Sequence, residues 1–149
     1  MSDQNPLLLA QDPNTSAEIL DKLSEDENPF VRVRVAAHAN ISEETLVKLS
    51  KDETPLVQQF VAEHVKTPAA TLIELNKNSD LAYWVAGNPN TPIDILCNFS
   101  NHENENVRSS LSVNPSTPVH VLSKLLKDVD EGVREAVKKN PNTPEDAAE

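Results

Sequence analysis

The chain has 149 residues, with 13 Lys and Arg against 24 Asp and Glu, and a formal net charge of −11. This length suits one domain. An acidic chain is a poor general nucleic-acid binder, because affinity for duplexes comes mostly from Lys and Arg that neutralise phosphates. No apolar run approaches the roughly 20 residues that span a bilayer. The single cysteine, Cys97, excludes an internal disulfide framework, and the first residues lack the basic region of a signal peptide, so we expect a cytoplasmic protein.

The first predicted element is a lone helix at residues 5–10, and a repeat begins after it. A Thr or Ile followed by Ser or Pro recurs at steps of 26, 26, 24, 26 and 26 residues, at 15–16, 41–42, 67–68, 91–92, 117–118 and 143–144. In each full repeat a leucine follows the second member of the pair by four residues: Leu20, Leu46, Leu72, Leu96 and Leu122. Self-similarity at a fixed period is typical of repeat architectures.

Each repeat predicts two short helices, which we call helix A and helix B. Helix A has apolar residues three, four and seven positions after the Ser or Pro, which is one face of a helix. We expect the preceding Thr to be its N-cap, a Pro to take the first helical position, and Glu18 to complete a capping box with Thr15.

Helix B has two apolar residues four positions apart, such as Val31 and Val35. It should end near Asn-Pro pairs such as Asn88-Pro89, because a residue before Pro leaves the helical region. The position before the second apolar residue is predicted to face inward and is held by Arg34, Phe60, Trp84, Ser110 and Ala136.

A single helix pair cannot bury its own apolar face, so stacked pairs predict an all-α fold of the α-solenoid type. We expect one repeat domain over 1–149, built from about five two-helix repeats of 24–26 residues with half-repeat caps. Its parts are an N-terminal half repeat at 1–11, five repeats at 12–139 and a C-terminal partial repeat at 140–149.

These residues resemble the leucine-rich repeat variant family, whose signature is Asn-Pro-Asn-Thr-Pro, then Leu-x-x-Leu, then Asp-x-x-x-x-Val-Arg-x-x-Val-Ala. Residues 88–92 and 140–144 match its first part, and 26–36 and 128–137 match its last part. The resemblance extends over almost the whole chain and overlaps with HEAT-like repeats. It implies a right-handed superhelix of short helices, some of them 3₁₀, and it implies no reaction. An iron–sulfur module found in one member type needs more thiolates than Cys97 alone provides.

Arg32, Arg108 and Arg134 occupy one column, six residues after Asp26, His102 and Asp128. Two interpretations are open. The arginines form an anion-binding ladder, or they form a hydrogen-bond ladder that pins each loop to its helix. The second is favoured, because an acid keeps this spacing in two of the three cases.

His38 and His64 also occupy one column, 26 residues apart. Stacked imidazoles can bind a metal. The other residues of that column are Asp12, Asn88, Asn114 and Asn140, which favours a role at the end of helix B. For Cys97 we expect an inert, half-buried thiol, since no His or acid has a spacing that would activate it. His102 and His120 receive no role.

Tyr83 and Trp84 are adjacent in the one repeat that is two residues short. Trp84 belongs to the column predicted to face inward, whereas Tyr83 shares its column with Val33, Gln59, Ser109 and Glu135 and should face outward. Exposed aromatic residues are favoured binding anchors.

Charge is unevenly distributed along the repeat. The helix B segments 30–38, 56–64, 81–87, 107–113 and 133–139 hold six basic and two acidic residues, a balance of +4, which leaves −15 for the rest. This pattern has two interpretations: an acidic face that only promotes solubility, or two distinct surfaces of which one binds.

The sequence contains no Gly-rich phosphate loop, no His-Glu-x-x-His motif and no Gly-x-Ser-x-Gly elbow. We therefore expect a non-enzymatic protein-interaction or scaffold module, a monomer without cofactor, metal or catalytic residue. A protein or peptide would bind along the helix B surface, through Tyr83, Gln59, Ser109, Arg32, Arg108 and Arg134. The alternative is a groove-based helical-repeat enzyme or nucleic-acid processing factor, which would need a basic groove with a buried acid or base.

Overall fold

The computed structural model describes residues 4–145, and this part of the chain is all-helical, as predicted. It contains eleven α-helices, one 3₁₀ turn at Ser79–Leu81 and no strand. The helices are α1 (Pro6–Gln11), α2 (Ala17–Leu23), α3 (Pro29–Ala36), α4 (Glu43–Leu49), α5 (Pro55–Glu63), α6 (Ala69–Leu75), α7 (Ala82–Gly87), α8 (Ile93–Phe99), α9 (Glu105–Val113), α10 (Val119–Leu125) and α11 (Glu131–Lys138). The odd-numbered helices are the predicted helices B and the even-numbered ones the predicted helices A.

The chain divides into two compact units, unit 1 up to Thr71 and unit 2 from Leu72 onward, with the boundary inside α6. In unit 1 the helices B pack on one another, α1 on α3 and α3 on α5, while α2 and α4 pack beside them. Unit 2 repeats the arrangement, with α7 on α9 and α9 on α11 beside α8 and α10. Each unit thus has a row of neighbouring helices B.

The predicted apolar columns form the core of both units. The column of helix A leucines is fully buried, and so are the two main helix B columns, which include Val31 with Val35 and Val107 with Leu111. The column one position before the second apolar residue of helix B, which was predicted to face inward, has a different burial. Arg34 is exposed and Phe60 and Trp84 are half-buried, so this column borders the surface and the prediction that it faces inward is wrong for these residues.

The predicted N-caps of helix A are shifted by one residue. Ser16 caps α2 and Pro92 takes the N-cap position of α8, so a Pro at this point precedes the helix. The predicted capping box of Thr15 with Glu18 does not form. The Thr hydroxyl instead donates to a carbonyl six residues earlier, as in Thr15 to Leu9 at 2.6 Å and Thr117 to Leu111 at 2.7 Å. Wherever Thr holds this position, it fastens the turn to the end of the preceding helix B; position 41 has Ile instead.

In α1, α3, α9 and α11 the N-cap side chain accepts from the backbone two or three residues later, as Asn28 does from Phe30 and Asp130 from Val133. In α1, α3 and α5 a Pro takes the first helical position, where its missing N–H costs no hydrogen bond. The predicted lone helix at 5–10 is α1, capped by Asn5. The predicted helix after Thr143 lies largely outside the described residues.

Candidate functional site

The column that contains His38 and His64 joins the turns of successive repeats. In unit 1, His38 Nε2 lies 2.9 Å from the Asp12 carbonyl oxygen and His64 Nε2 lies 3.0 Å from that of His38. The backbone N–H of Lys66 donates to His64 Nδ1 at 3.0 Å. Because Nδ1 accepts, a neutral ring carries its proton on Nε2 and donates to the carbonyl.

Burial lowers the pKa of His64 below its ordinary value of 6.5, although the hydrogen bond to the His38 carbonyl opposes the shift. The neutral ring that results is the form this geometry needs. The column therefore has the structural role predicted for it, and within the described residues no group of three or more potential metal ligands is found.

In unit 2 asparagine performs the same task. Asn114 Nδ2 donates to the carbonyls of Ala86 at 2.8 Å and Asn88 at 2.9 Å, while its Oδ1 accepts from the backbone N–H of Ser116 at 2.9 Å. Asn140 repeats the pattern with Ser112 and Asn114. Both asparagines are buried, and all of these groups are used inside the protein.

The arginine column also forms a structural network. Arg32 Nη1 donates to the carbonyl of Asp26 at 2.8 Å, while its Nε and Nη2 donate to the carboxylate of Asp52 at 2.8 and 3.3 Å. Nη2 also donates to the hydroxyl of Thr54. The side chains of Arg32 and Asp52 are only 12% and 9% exposed, so this pair is largely shielded from water.

Arg108 repeats the arrangement in unit 2. Its Nη1 donates to the carbonyl of His102 at 2.7 Å, and its Nε and Nη2 hold the carboxylate of Asp128 at 2.8 and 3.0 Å. Burial by itself would raise the pKa of Asp128, but the hydrogen bonds from Arg108 and from the backbone N–H of Asp130 outweigh burial and the pKa is lowered. The carboxylate stays ionised and paired.

These contacts favour the hydrogen-bond ladder over an anion-binding ladder for Arg32 and Arg108. The residue six positions earlier, Asp26 or His102, contributes its carbonyl, and the paired carboxylate comes from the next repeat, 20 residues later. The sequence contains a signal for this pairing that the spacing of six residues does not include. Where the arginine column has Gln58 or Ala82, the position 20 residues on is Asn78 or His102 instead of Asp. Arg134 donates to the carbonyl of Asp128 at 2.6 Å.

An open depression of about 450 Å³ lies on the helix B row of unit 1. Its apolar lining comes from Ala37, Ala39, Phe60 and Val65, and its polar lining from Glu63, His64 and Lys66. A second depression of about 360 Å³ shares Ala37 and Ala39 with the first and includes Arg34 and His38. Sequence reasoning missed both, because it assigned Phe60 and Arg34 to the interior.

The remaining predicted contact residues lie on helices B of both units. Gln59 on α5 is half-buried. In unit 2, Tyr83 on α7 is 47% exposed, as predicted, and Ser109 on α9 is half-buried. The ring of Tyr83 packs edge-on against that of Trp84, with centroids 5.5 Å apart. Tyr83 thus offers a positioned aromatic ring to solvent.

Cys97 on α8 and His120 on α10 come together, with Sγ and Nε2 3.7 Å apart. Spacing along one repeat predicts no role for His120 and no activating histidine for Cys97, because the two residues lie in neighbouring repeats. Lys124 and Asn101 are also 23 residues apart and are joined by a hydrogen bond. Cys97 is half-buried, as predicted.

Comparisons with models of known families, with curated proteins and with solved structures find no match to this chain. Among the described helices, none has the length and apolar character needed to cross a bilayer. The function is therefore argued from the surfaces described above.

Proposed function

We propose that this chain is a non-enzymatic interaction module whose helix B surfaces bind a peptide or protein segment. The observation that carries the proposal is the apolar depression beside Phe60 on the helix B row of unit 1. Binding sites are typically concave and mostly apolar, with a few polar groups that fix orientation. Here Glu63 and Lys66 supply groups of both signs at the edge of an apolar lining.

Exposed apolar side chains on the helix B elements extend the argument. Phe30 on α3 is 67% exposed and Leu56 on α5 is 41% exposed in unit 1, and in unit 2 Tyr83 is 47% exposed. Burying a large aromatic or aliphatic side chain against a partner stabilises a complex by about 1.5–3 kcal/mol. Arg32 and Arg108 are left out of the proposed contact set, because most of their donors are already used within the protein.

The proposal includes the architecture predicted from the sequence. We infer that the helix pairs stack as an α-solenoid similar to the leucine-rich repeat variant and HEAT-like repeats. The row of helices B within each unit supports this inference, as do the bonds between turns one repeat apart. Repeats that contact mainly their neighbours are typical of solenoids, which bind partners on extended surfaces.

The experiment is a selection from a displayed library of random peptides, followed by affinity measurement on the purified chain. We expect Phe60→Ala or Tyr83→Ala to weaken the selected peptide at least about tenfold, as for interface hot spots. The matched controls are exposed apolar residues on helices A, Ile19→Ala at 38% exposure in unit 1 and Ile93→Ala at 61% exposure in unit 2. Equal losses in test and control variants, or no selected peptide, would contradict the proposal.

A further inference from the structure

A second cleft, of about 410 Å³, lies in unit 2 where the loop before α9 approaches the loop before α11. We call it the unit 2 loop cleft. It is separate from the helix B surfaces and does not depend on the function proposed for them. Its lining includes the polar residues Ser100, Asn101 and His102 and the basic residues Lys124 and Lys127.

The single carboxylate that lines this cleft is already neutralised. Asp128 is held by two hydrogen bonds from Arg108, and its Oδ1 also accepts from the backbone N–H of Asp130 at 3.0 Å. The nearby carboxylate of Asp130 is used as the N-cap of α11. The charges of Lys124 and Lys127 therefore remain uncompensated by the lining.

The cationic groups are also positioned. Lys124 Nζ donates to Ser100 Oγ at 3.1 Å and to Asn101 Oδ1. The backbone N–H of Asn104 donates to His102 Nδ1 at 3.1 Å, which leaves Nε2 of a neutral ring as a donor. Lys124 and His102 thus both line the cleft with side chains that hydrogen bonds hold in place.

The equivalent cleft of unit 1 shows that this charge is specific to unit 2. It has about 570 Å³ and is lined by five carboxylates and two cations. Counting by the repeat, its Glu25, Asp26 and Glu53 are replaced in unit 2 by Asn101, His102 and Val129.

The lysines show the same contrast. Lys48, the unit 1 equivalent of Lys124, pairs with Asp21 at 2.9 Å and with Glu25 at 3.7 Å. At those two positions unit 2 has Cys97 and Asn101 in place of the two carboxylic acids. Both units keep the two lysines, whereas unit 2 lacks the carboxylates that surround them in unit 1. The cleft is therefore acidic in unit 1 and cationic in unit 2.

We propose that the unit 2 loop cleft binds a phosphate monoester carried on a peptide side chain. Such a phosphate has close to two negative charges near pH 7 and three strong acceptor oxygens. Lysine is a frequent phosphate partner, and hydrogen bonds between charged groups are about twice as strong as neutral ones. Val129 lines the cleft with 93% of its surface exposed, which favours a phosphate attached to a peptide with an apolar neighbour over a free ion.

The test is a titration of the whole chain with a phosphoserine peptide that has an adjacent leucine, monitored by backbone amide shifts at low ionic strength. Its unphosphorylated twin and inorganic phosphate are the other two ligands. We expect saturable shifts at residues 100–102 and 126–129 with the phosphopeptide, weaker binding of inorganic phosphate and none of the twin.

The decisive variant is Lys124→Gln with Lys127→Gln, compared with Lys48→Gln and Lys51→Gln at the equivalent positions of unit 1. Both make the same change of charge on exposed side chains. We expect at least about a tenfold loss of affinity in the first and less than about twofold in the second. Equal losses, binding of the twin, or absence of saturable shifts would overturn the site. Equal affinity for inorganic phosphate would contradict the part of the proposal that the phosphate is carried on a peptide.

Discussion

The turn column shows how two residue types perform the same task. Histidine and asparagine each place a donor and an acceptor far enough apart to bond a carbonyl one repeat earlier and an N–H two residues later, as His64 and Asn114 do. The sequence indicated a role at the end of helix B, because both types occupy one position of the repeat.

The two arginine pairs, Arg32 with Asp52 and Arg108 with Asp128, are the least exposed ion pairs among the described residues. We expect Asp128→Asn to lower the free energy of unfolding by about 1–3 kcal/mol at neutral pH, because Arg108 then loses an ionised partner in a largely buried site. Chemical denaturation of the purified variant measures this. Glu131→Gln, which removes the same charge from an exposed residue, is the control and should change stability by less than about 0.5 kcal/mol.

The lowered pKa of Asp128 also predicts how the stability cost of this variant depends on pH. The pKa of Asp128 is lower in the folded protein than its ordinary value of 3.8. A lowered pKa contributes stability that is fully present above the unfolded value and is lost as pH falls through the folded value. The stability difference between the native chain and Asp128→Asn should therefore narrow as pH falls below about 4. A difference that stays constant into that range would contradict the assigned ion pair.

At the scale of elements, every described α-helix has only six to nine residues. Isolated helices shorter than about 12–15 residues are marginal in water, so these helices depend on caps and packing. The helix B caps Asn5, Asn28, Asn104 and Asp130 each precede a Pro or a Glu, a local signal from which no cap was predicted. The N-caps of helix A were predicted one residue too early, because Thr next to Pro is locally compatible with either the N-cap or the residue before it. The Thr hydroxyl bonds to the preceding helix B, so the following residue takes the N-cap position, as Pro118 does.

A side chain at position 87, where α7 packs on α9, would collide with the Ser110 hydroxyl. A Cβ on Gly87 would lie 2.7 Å from Ser110 Oγ, which donates to the Tyr83 carbonyl at 2.7 Å. We expect Gly87→Ala to destabilise the protein by about 1–2 kcal/mol, because the buried hydroxyl must turn away from its acceptor.

A double-mutant cycle with Ser110→Ala isolates this contact. Without the hydroxyl, Gly87→Ala should be nearly neutral or stabilising, since alanine favours helix over glycine by up to about 1 kcal/mol. Thermal or denaturant unfolding of the four proteins gives the coupling energy, which we expect to be about 1 kcal/mol or more. An equal cost of Gly87→Ala in both backgrounds would rule out the clash as its cause.

At the scale of the whole molecule, the repeat predicts which deletions the fold tolerates. Deletion of residues 109–134 removes one 26-residue period and leaves Val107 and Val137 four positions apart in a fused helix. We expect this shortened chain to keep its helical circular dichroism per residue and a cooperative melt, at a lower temperature, because repeat proteins are stabilised by nearest-neighbour contacts.

The control deletion removes residues 109–132 and differs by two residues. It leaves Val107 and Val137 six positions apart, so the two valines no longer share one helix face. This chain should lose its cooperative transition. If both deletions melted alike, the fold would not depend on the repeat period, and the proposed solenoid would be contradicted.

The sequence by itself determined the helices, the repeat and the core, because leucine and valine columns recur at helical spacing in every repeat. The residues of these columns are buried in the structure. It also determined that Tyr83 faces solvent. Only the tertiary structure decided which neighbouring residues meet across repeats: Arg108 with Asp128, Cys97 with His120, and the lysines of the unit 2 loop cleft. Spacing within a repeat fixes the face of a helix, whereas contacts between repeats depend on how far one helix pair is shifted and rotated against the next. Packing sets that offset. As a result Arg34 is exposed and Phe60 is half-buried, although the spacing within the repeat predicted that both face inward.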